Sequence, residues 1–314
     1  MTTETLDAAP SATRTRRRPE PPRRTAAERW RRRGPLLPAL ALTILLTQVP
    51  LLGTVYYSLR ARNLLRPETD EFVGLANYGT VLGDEYFRTA VLNTLVLTAS
   101  TVVLAMALGI ALAVLLDKKF LGRGVVRTLL ITPFLVMPAA AALLWKHAMF
   151  NPLFGMLNWA LSVVGIGKVD WVSQFPMPAL VLMLTWQWTP FMMLIVLAGL
   201  QSQSTEILEA AKVDGAGPWD TFRRITLPHL RRFIELAILL GSIFIVQTFD
   251  PIFLITQGGP GQATTNLPFA IYQTTFRAFE VGEAAAAGVI VVIGTIVIAA
   301  FALRVISSLF QEES

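Results

Sequence analysis

Long runs of apolar residues, separated by short charged segments, dominate the chain from Gly34 onward. Runs without Asp, Glu, Lys or Arg include 26 residues in 34–59, 28 in 89–116 and 35 in 171–205. Since about 20 helical residues cross a hydrocarbon core of ~30 Å, each run is long enough to span a membrane. The pattern predicts an all-α polytopic membrane protein with six transmembrane helices, at 35–58, 90–116, 125–146, 178–200, 233–256 and 284–308.

The composition agrees with a membrane protein and places the excess positive charge at one end. Hydrophobic residues make up 54% of the chain and charged residues 15%, against roughly 45–50% and about 25% in soluble proteins. Residues 1–34 contain ten arginines and four acidic residues, whereas the other 280 residues balance 17 basic against 17 acidic side chains. This balance disfavours a nucleic-acid-binding surface in the folded part. We predict a disordered Arg/Pro-rich cytoplasmic tail over 1–34 and a transmembrane domain over 35–314.

The basic residues that flank the six predicted helices are distributed unequally between the two sides of the membrane. With the N-terminus placed in the cytoplasm, 20 lysines and arginines fall on the cytoplasmic side and 7 on the external side. Membrane proteins retain their basic residues on the cytoplasmic side. Since an even number of spans returns the chain to its starting side, we predict a multi-pass protein with both termini in the cytoplasm.

The residue types present exclude several kinds of chemistry. The sequence has no cysteine, which excludes disulfides and thiolate metal sites, and its two histidines, His147 and His229, are few for a histidine-built metal centre. Gly258, Gly259 and Gly261 are not followed by Gly-Lys-Ser/Thr, so they predict a turn in an external loop and not a phosphate-binding loop. We therefore expect no catalytic residue and no metal site in this chain.

The cytoplasmic loop between the fourth and fifth predicted helices has the features of two short helices outside the membrane. Ser204 or Thr205 is suited to cap the first helix, and Gly215 is expected to end it. Pro218 fits the first position of a second helix, which ends before Pro228. Each helix has an apolar face that either packs on the protein's own helix ends or docks a soluble partner. Periodicity alone leaves both interpretations open.

The same loop resembles a motif of a known family of transporters. Residues 209–217 read Glu-Ala-Ala-Lys-Val-Asp-Gly-Ala-Gly, and residues 225–228 read Ile-Thr-Leu-Pro. This spacing is similar to the cytoplasmic loop of permease subunits of binding-protein-dependent ABC importers. The resemblance extends from near residue 36 to the C-terminus. Four further segments look like the carbohydrate branch of these importers, the maltose-permease-like subunits: 72–78, 93–94, 256–260 and 264–267.

The resemblance implies a transporter of several subunits, in which ATP hydrolysis, solute binding and translocation are carried out by different chains. In that family the Glu-Ala-Ala loop forms a coupling helix that sits in a cleft of a cytoplasmic ATPase. The ATPase-coupling residues implied here are Glu209, Ala210, Ala211, Asp214, Gly215 and Ala216. The implied partners are a second homologous permease subunit, two ATPase subunits that hold ATP and Mg, and an external solute-binding protein, assembled in a bacterial plasma (inner) membrane. The lack of a Gly-x-x-x-x-Gly-Lys-Ser/Thr loop agrees with ATP hydrolysis on another chain.

Polar side chains within the predicted helices are candidates for a solute pathway, because polar groups that face lipid are costly. The predicted substrate-pathway residues are Phe134, Gln187, Trp188, Phe244, Gln247, Thr248 and Asp250. The resemblance implies five of them, and the polarity of the fifth helix adds Gln247 and Asp250. Aromatic faces suit the C–H surface of a sugar, and amides suit its hydroxyls. Ordinary helix packing around a kink at Pro190 is the other interpretation.

The predicted function is the permease subunit of an ATP-driven importer for a sugar or sugar alcohol. The alternative is a secondary, ion-coupled transporter, which would place coupling charges near the membrane midplane; the charge-free helices argue against it. A membrane-embedded hydrolase would need a nucleophile with a base, and no serine lies in a recognisable frame with either histidine. Segments 186–190 and 258–267 look most similar to sorbitol and mannitol permeases, and maltose or trehalose stays open as cargo.

Overall fold

The computed structural model describes residues 37–309, so the segment 1–34 and the prediction made for it lie outside the described residues. Within them the chain is helical and contains no β-strand, which confirms the predicted all-α class. The α-helices, numbered in chain order, are α1 (Leu37–Ser58), α2 (Ala76–Gly83), α3 (Glu85–Asp117), α4 (Arg123–Leu135), α5 (Pro138–Leu144), α6 (Met156–Val163), α7 (Trp171–Gln174), α8 (Pro176–Gln201), α9 (Thr205–Val213), α10 (Pro218–Thr221), α11 (Leu227–Val246), α12 (Leu267–Phe276) and α13 (Val281–Leu309). π-Helical turns cover Trp145–Met149, Phe222–Thr226 and Ile252–Thr256, and a 3₁₀ turn covers Pro67–Thr69.

The chain divides into two compact units, one ending at Leu52 and the other beginning at Gly53. The described part of the first unit is the N-terminal portion of α1, residues 37–52, and each of these residues is exposed. A helix that is apolar on all sides and lacks charge is typical of a segment that faces lipid. The second unit contains the remaining helices.

Three described helices, α1, α3 and α8, are long and apolar enough to cross a membrane. A fourth span results when α4 and the helix from Pro138 to Met149 are counted together. Helix α11 has three charged residues near its start, Arg231, Arg232 and Glu235, and α13 contributes a shorter apolar stretch, Val281–Val297. By length and composition the described helices account for up to four of the six predicted spans, so the count of six stays a prediction.

Helix α8 is the most enclosed helix of the second unit and packs on α3, α4 and α11. Its residues Met192 and Met193 are completely buried. Helix α3 approaches closely because Gly109 stands at the crossing: a Cβ there would lie 2.9 Å from the Met192 Cβ and 3.0 Å from the Met193 amide nitrogen. Small residues allow this kind of close crossing between membrane helices. The crossing therefore has no room for a larger side chain.

The segment that follows α1 packs against the start of α13. The Gly282 amide donates to the Arg62 carbonyl at 3.1 Å. Within the segment, Arg60 Nε and Asp70 Oδ1 form a salt bridge of 2.6 Å, and this hydrogen-bonded carboxylate raises the pKa of the Arg60 guanidinium. Direct bonds thus fix the connection between the end of α1 and α2.

Candidate functional site

A cavity of about 270 Å³ lies beside α8 in the second unit. Its walls come from the end of α4, the start of α5, the middle of α8 and the region where α11 ends. The structure brings all seven predicted substrate-pathway residues to this one cavity. The lining residues are Phe134, Val136, Pro138, Gln187, Trp188, Phe244, Gln247, Thr248, Phe249, Asp250 and Pro251.

The first wall of the cavity is a sharp bend between α4 and α5. Val136 and Met137 have extended backbone between the two helices, with ψ of 131° and 133°. Pro138 begins α5, and a proline at this point removes the amide that would bond the Phe134 carbonyl and disfavours helical geometry at the residue before it. The predicted third span is therefore two helices bent by 99°, a break that the apolar pattern did not indicate.

The second wall is an interruption of the predicted fifth span. Helix α11 ends just before Gln247, and helical structure resumes at Asp250. Pro251 explains the interruption, since it cannot donate to the Gln247 carbonyl four residues earlier. The Thr248 carbonyl in the unwound stretch accepts a hydrogen bond from Asn266 Nδ2. A backbone carbonyl outside a helix needs another hydrogen-bond partner, and the Asn266 amide supplies one here.

Gln187 brings an amide to the cavity from the middle of α8. Its side chain is only 5% exposed, and its Nε2 donates to the Val136 carbonyl at 3.3 Å. That carbonyl lies at the break between α4 and α5, where no further helical turn is available to bond it. A primary amide has two donor hydrogens and one acceptor oxygen, so a single bond leaves Gln187 further capacity. Gln187 therefore stabilises the bend and adds a polar group to the cavity.

Three of the four aromatic rings that line the cavity pack against one another. Trp188 stacks on Phe244 with ring centroids 5.6 Å apart and planes at 20°. It meets Phe134 edge-on, also at 5.6 Å. The faces of aromatic rings carry partial negative charge, which suits the weakly positive C–H hydrogens of a sugar ring. Rings and an amide together fit a solute with an apolar face and a polar edge.

The unwound stretch after α11 supplies the remaining polar groups. Gln247 is exposed and donates to the Ile243 carbonyl of its own helix at 2.9 Å. Thr248 and Asp250 are half-buried at the cavity wall. Across the described part of the chain, no group of three or more His, Cys, Asp or Glu residues could hold a metal ion.

Sequence reasoning missed four lining residues, Val136, Pro138, Phe249 and Pro251. Each lies at or next to one of the two helix breaks. The signal that could have found them is the pair of prolines, because a proline inside a predicted span marks a position where the helix bends or stops. The resemblance and the polarity that selected the other candidates do not detect them.

The loop between α8 and α11 protrudes from the described helices. Ser204 is the capping residue of α9 and accepts a hydrogen bond from the Glu206 amide at 3.2 Å. Helix α9 ends at Val213, and Gly215 then turns the chain with a φ of +79°, a left-handed conformation that glycine adopts without steric cost. The caps that the sequence predicted are therefore in place.

Most of this loop's surface is uncovered in the described part of the chain. Of the six predicted coupling residues, Ala211 is buried, Ala216 is half-buried and the other four are exposed. Val213 is 87% exposed and Trp219 70% exposed, although Trp219 stacks on Phe222. The apolar face is therefore divided, because Leu208, Phe222 and Ile225 are half-buried.

The prediction that the second loop helix ends before Pro228 is wrong. Helix α10 continues through the π-turn Phe222–Thr226 into α11 without interruption. A proline in a regular α-helix clashes with the carbonyl four residues earlier, here that of Arg224. The π-turn is wider, with the Leu227 amide bonded to the Phe222 carbonyl, and it makes room for the ring. The second loop helix and the helix that ends at the cavity are thus one continuous element.

His229 connects the start of α11 to the end of α8. Its Nε2 lies 3.1 Å from Ser202 Oγ and 3.1 Å from the Gly199 carbonyl oxygen. Gly199 allows α11 to lie this close to α8, since a Cβ at residue 199 would lie only 2.7 Å from the Phe233 ring on α11. The base of the loop is therefore fixed even though its tip is exposed.

Residues 105–311, which include the cavity and the protruding loop, match the family described as the binding-protein-dependent transport system inner membrane component. The chain belongs to this family. The permease is 38% identical over 288 residues to the probable ABC transporter permease protein y4oQ of Sinorhizobium fredii, covering 89% of this chain and 93% of that protein. It is 36% identical over 235 residues to the trehalose/maltose transport system permease protein MalF of Thermococcus litoralis, covering 74% and 79%.

A solved structure is also similar to the permease. A chain of a bacterial ABC transporter involved in the import of the acidic polysaccharide alginate aligns with a TM-score of 0.76 over 90% of this chain and 96% of that one. At 23% sequence identity this likeness supports the fold alone. The family to which the loop motif pointed is confirmed: the chain is a membrane component of a binding-protein-dependent importer.

Proposed function

We propose that this permease is the membrane-spanning subunit of an ATP-driven importer that moves a sugar or sugar alcohol delivered by an external solute-binding protein. The observation that carries the proposal is the cavity at the two helix breaks, where an amide, a hydroxyl and aromatic rings converge. The sugar-transport name of one relative supports the solute class. Which sugar or polyol is carried depends largely on the separate binding protein.

The cavity matches the surface of a polyhydroxylated ring. Trp188 and Phe244 offer stacked aromatic faces to the C–H side of such a ring. Gln187, Gln247 and Thr248 offer donors and acceptors to its hydroxyls. Pockets that are mostly apolar, with a few convergent polar groups, are typical of small-molecule sites. A transient site of this kind would receive the solute from the binding protein.

The protruding loop is the proposed contact with the ATPase subunits. We place it in the cytoplasm, in a topology of six spans with both termini on that side, since the basic residues favour this orientation. The coupling residues Glu209, Ala210, Ala211, Asp214, Gly215 and Ala216 would dock in a cleft of an ATPase. The exposed apolar residues Val213 and Trp219 support a partner on this face.

Docking at the loop would reach the cavity through one element. Helix α11 has 20 residues and is continuous with α10 through the π-turn. At 1.5 Å per residue it is about 30 Å long, and it ends one residue before Gln247 at the cavity wall. A displacement of the loop by ATP-driven closure of the partner would therefore move one wall of the cavity. ATP and Mg are expected on two partner ATPase subunits, and a second permease subunit would complete the pathway.

Replacement of Gln187 tests the proposed pathway. Gln187→Ala removes the hydrogen bond to the half-buried Val136 carbonyl, which typically costs about 0.5–1.5 kcal/mol. We expect solute uptake to fall several-fold or more, with binding-protein affinity unchanged because that site is on another chain. The measurement is uptake of labelled trehalose, maltose, sorbitol and mannitol by vesicles that contain the complete transporter and saturating binding protein, with ATP hydrolysis recorded in the same samples.

A matched control separates a role in transport from a general effect of losing an amide. Gln201→Ala changes the same residue type at the exposed end of the same helix, and uptake should stay near the wild-type rate. Trp188→Ala should reduce uptake as Gln187→Ala does. Wild-type uptake in both cavity variants would contradict the assignment and shift the pathway to the Gln247 and Thr248 wall.

A further inference from the structure

Asp250 is the single charged residue among the described residues that line the cavity. The other lining residues are amides, one hydroxyl, aromatic rings and apolar side chains, and none of them is a lysine, arginine or histidine. Its side chain is half-buried at the wall. The described part of the cavity therefore presents one negative charge and no positive charge.

The Asp250 carboxylate makes neither a hydrogen bond nor a salt bridge with any residue that the structure describes. Asp70 and Glu235, in contrast, each pair with an arginine. The Lys146 ammonium is bonded to the Leu254 carbonyl at 2.6 Å, in the π-turn that follows Asp250. The charge of Asp250 is thus left for a molecule that enters the cavity.

A carboxylate in such a place has two effects on a solute. It accepts hydrogen bonds from hydroxyl groups, and bonds to a charged acceptor are stronger than neutral ones. It also repels anions, more strongly than in bulk water because aromatic and apolar walls lower the local dielectric. Sites discriminate between ligands by built-in repulsion as well as by attraction. An anionic solute in this cavity would be repelled by the Asp250 carboxylate, and no described lining residue carries a positive charge to offset this repulsion.

We propose that Asp250 determines the charge class of the solute. It binds hydroxyl groups of neutral or positively charged sugars and polyols, and it excludes sugars that carry a carboxylate, sulfonate or phosphate group. The inference rests on the proposed function, because it takes the cavity as the solute pathway. It adds a specificity-determining role for one residue.

The lack of cysteine in the chain makes a direct test possible. A single cysteine is introduced as Gln247→Cys at the exposed cavity wall, in the complete transporter in nanodiscs. Two thiol reagents of similar size and opposite charge then probe it, the cationic MTSET and the anionic MTSES. Intact-mass measurement of this chain gives the two modification rates, and each rate is divided by the rate of the same reagent with free 2-mercaptoethanol. The matched control is Leu153→Cys, which is 75% exposed in a stretch, 150–157, that has no charged residue.

With Asp250 present, we expect the normalised rates at the cavity cysteine to favour the cation by at least ten-fold. At the control cysteine the preference should stay within about two-fold, since surface charges are largely screened at physiological salt. Asp250→Asn should abolish the cavity preference, and Asp250→Glu should retain it. A cavity preference near unity in the wild-type background, or one that Asp250→Asn leaves intact, would overturn the proposal. The wild-type comparison of the two cysteines decides the matter even where Asp250→Asn fails to assemble.

This experiment is independent of transport. A neutral cavity combined with the uptake defect of Gln187→Ala would reject the role of Asp250 and leave the proposed function standing. A clear cation preference combined with wild-type uptake in the Gln187 and Trp188 variants would show a charged cavity that is not the solute pathway, which rejects both the proposed pathway and the specificity role. The two failures are therefore distinguishable.

Discussion

The cavity and the protruding loop differ in how far they cover similar side chains. Trp188 lies in a stack of aromatic rings at the cavity, whereas Trp219 contacts Phe222 and is otherwise largely exposed. Both regions contain a change of chain direction that a regular helix could not make. The first region is lined by helices that are distant along the chain, although Phe244 and Gln247 on its wall are exposed. The second region is one continuous segment whose surface is mostly exposed. Tertiary packing therefore shapes the cavity, and local geometry shapes the loop.

The two regions also differ in what supplies hydrogen-bond partners to backbone groups outside the helices. At the cavity, side chains from distant helices cover the breaks: Gln187 bonds the Val136 carbonyl, and Asn266 bonds the Thr248 carbonyl. In the loop, local caps and a left-handed Gly215 are sufficient, because water reaches the turn. Changes at the cavity should therefore reduce stability as well as transport. Changes in the loop should reduce transport and cost less stability.

The largest expected effect is the loss of uptake in Gly215→Val. A Cβ at this position would meet no atom within 4 Å, so valine causes no clash, but it disfavours the left-handed backbone and adds bulk at the docking tip. We expect uptake by cells to fall at least ten-fold at normal membrane levels, together with reduced co-purification of the ATPase. Glu209→Lys should have the same effect.

Gly122 provides the matched control for this prediction. It has a φ of +83° and lies in a different loop, between α3 and α4, and a Cβ added there would likewise meet no atom within 4 Å. Gly122→Val thus imposes the same backbone cost and should keep most of the uptake. Equal losses in the two variants would attribute the defect to backbone strain and not to docking.

The second prediction compares two helix caps, one in each region. Asn266 caps α12, is 1% exposed and also bonds the Thr248 carbonyl, whereas Ser204 caps α9 in the open loop. Losing a cap costs about 1 kcal/mol, and Asn266→Ala also removes the bond to the half-buried Thr248 carbonyl, which adds about 0.5–1.5 kcal/mol. Thermal unfolding of the purified transporter should therefore show a clearly lower midpoint for Asn266→Ala than for Ser204→Ala. Equal midpoints would mean that the unwound stretch does not depend on Asn266.

The smallest expected effect is on the free energy of unfolding when two helical glycines are replaced by alanine. One replacement should lower it and the other should raise it. Gly109→Ala places a methyl group against the α8 backbone, and overpacking of this kind costs about 1–3 kcal/mol. Gly294→Ala meets no atom within 4 Å and should stabilise its helix by up to about 1 kcal/mol. The same thermal assay measures both. A stabilising Gly109→Ala would contradict the close crossing of α3 and α8.

The cavity shows how far prediction from sequence reached. Chemistry and family resemblance together selected seven residues from three predicted helices, and all seven line one cavity. They did not find the breaks, nor the role of Asn266, nor the continuity of the helix across Pro228. A predicted span treats a helix as uniform, and each of these features depends on how one particular carbonyl or proline is accommodated.

The sequence by itself determined the features that depend on neighbouring residues. Apolar length favours helices in lipid, and capping residues such as Ser204 and Gly215 define the loop, because their hydrogen bonds and φ angles are local. Only the tertiary structure decided where the helices could break. The partner of the Val136 carbonyl is Gln187, 51 residues away, and that of the Thr248 carbonyl is Asn266, 18 residues away. A backbone group released from a helix in a membrane needs a partner that only the packed fold can bring to it.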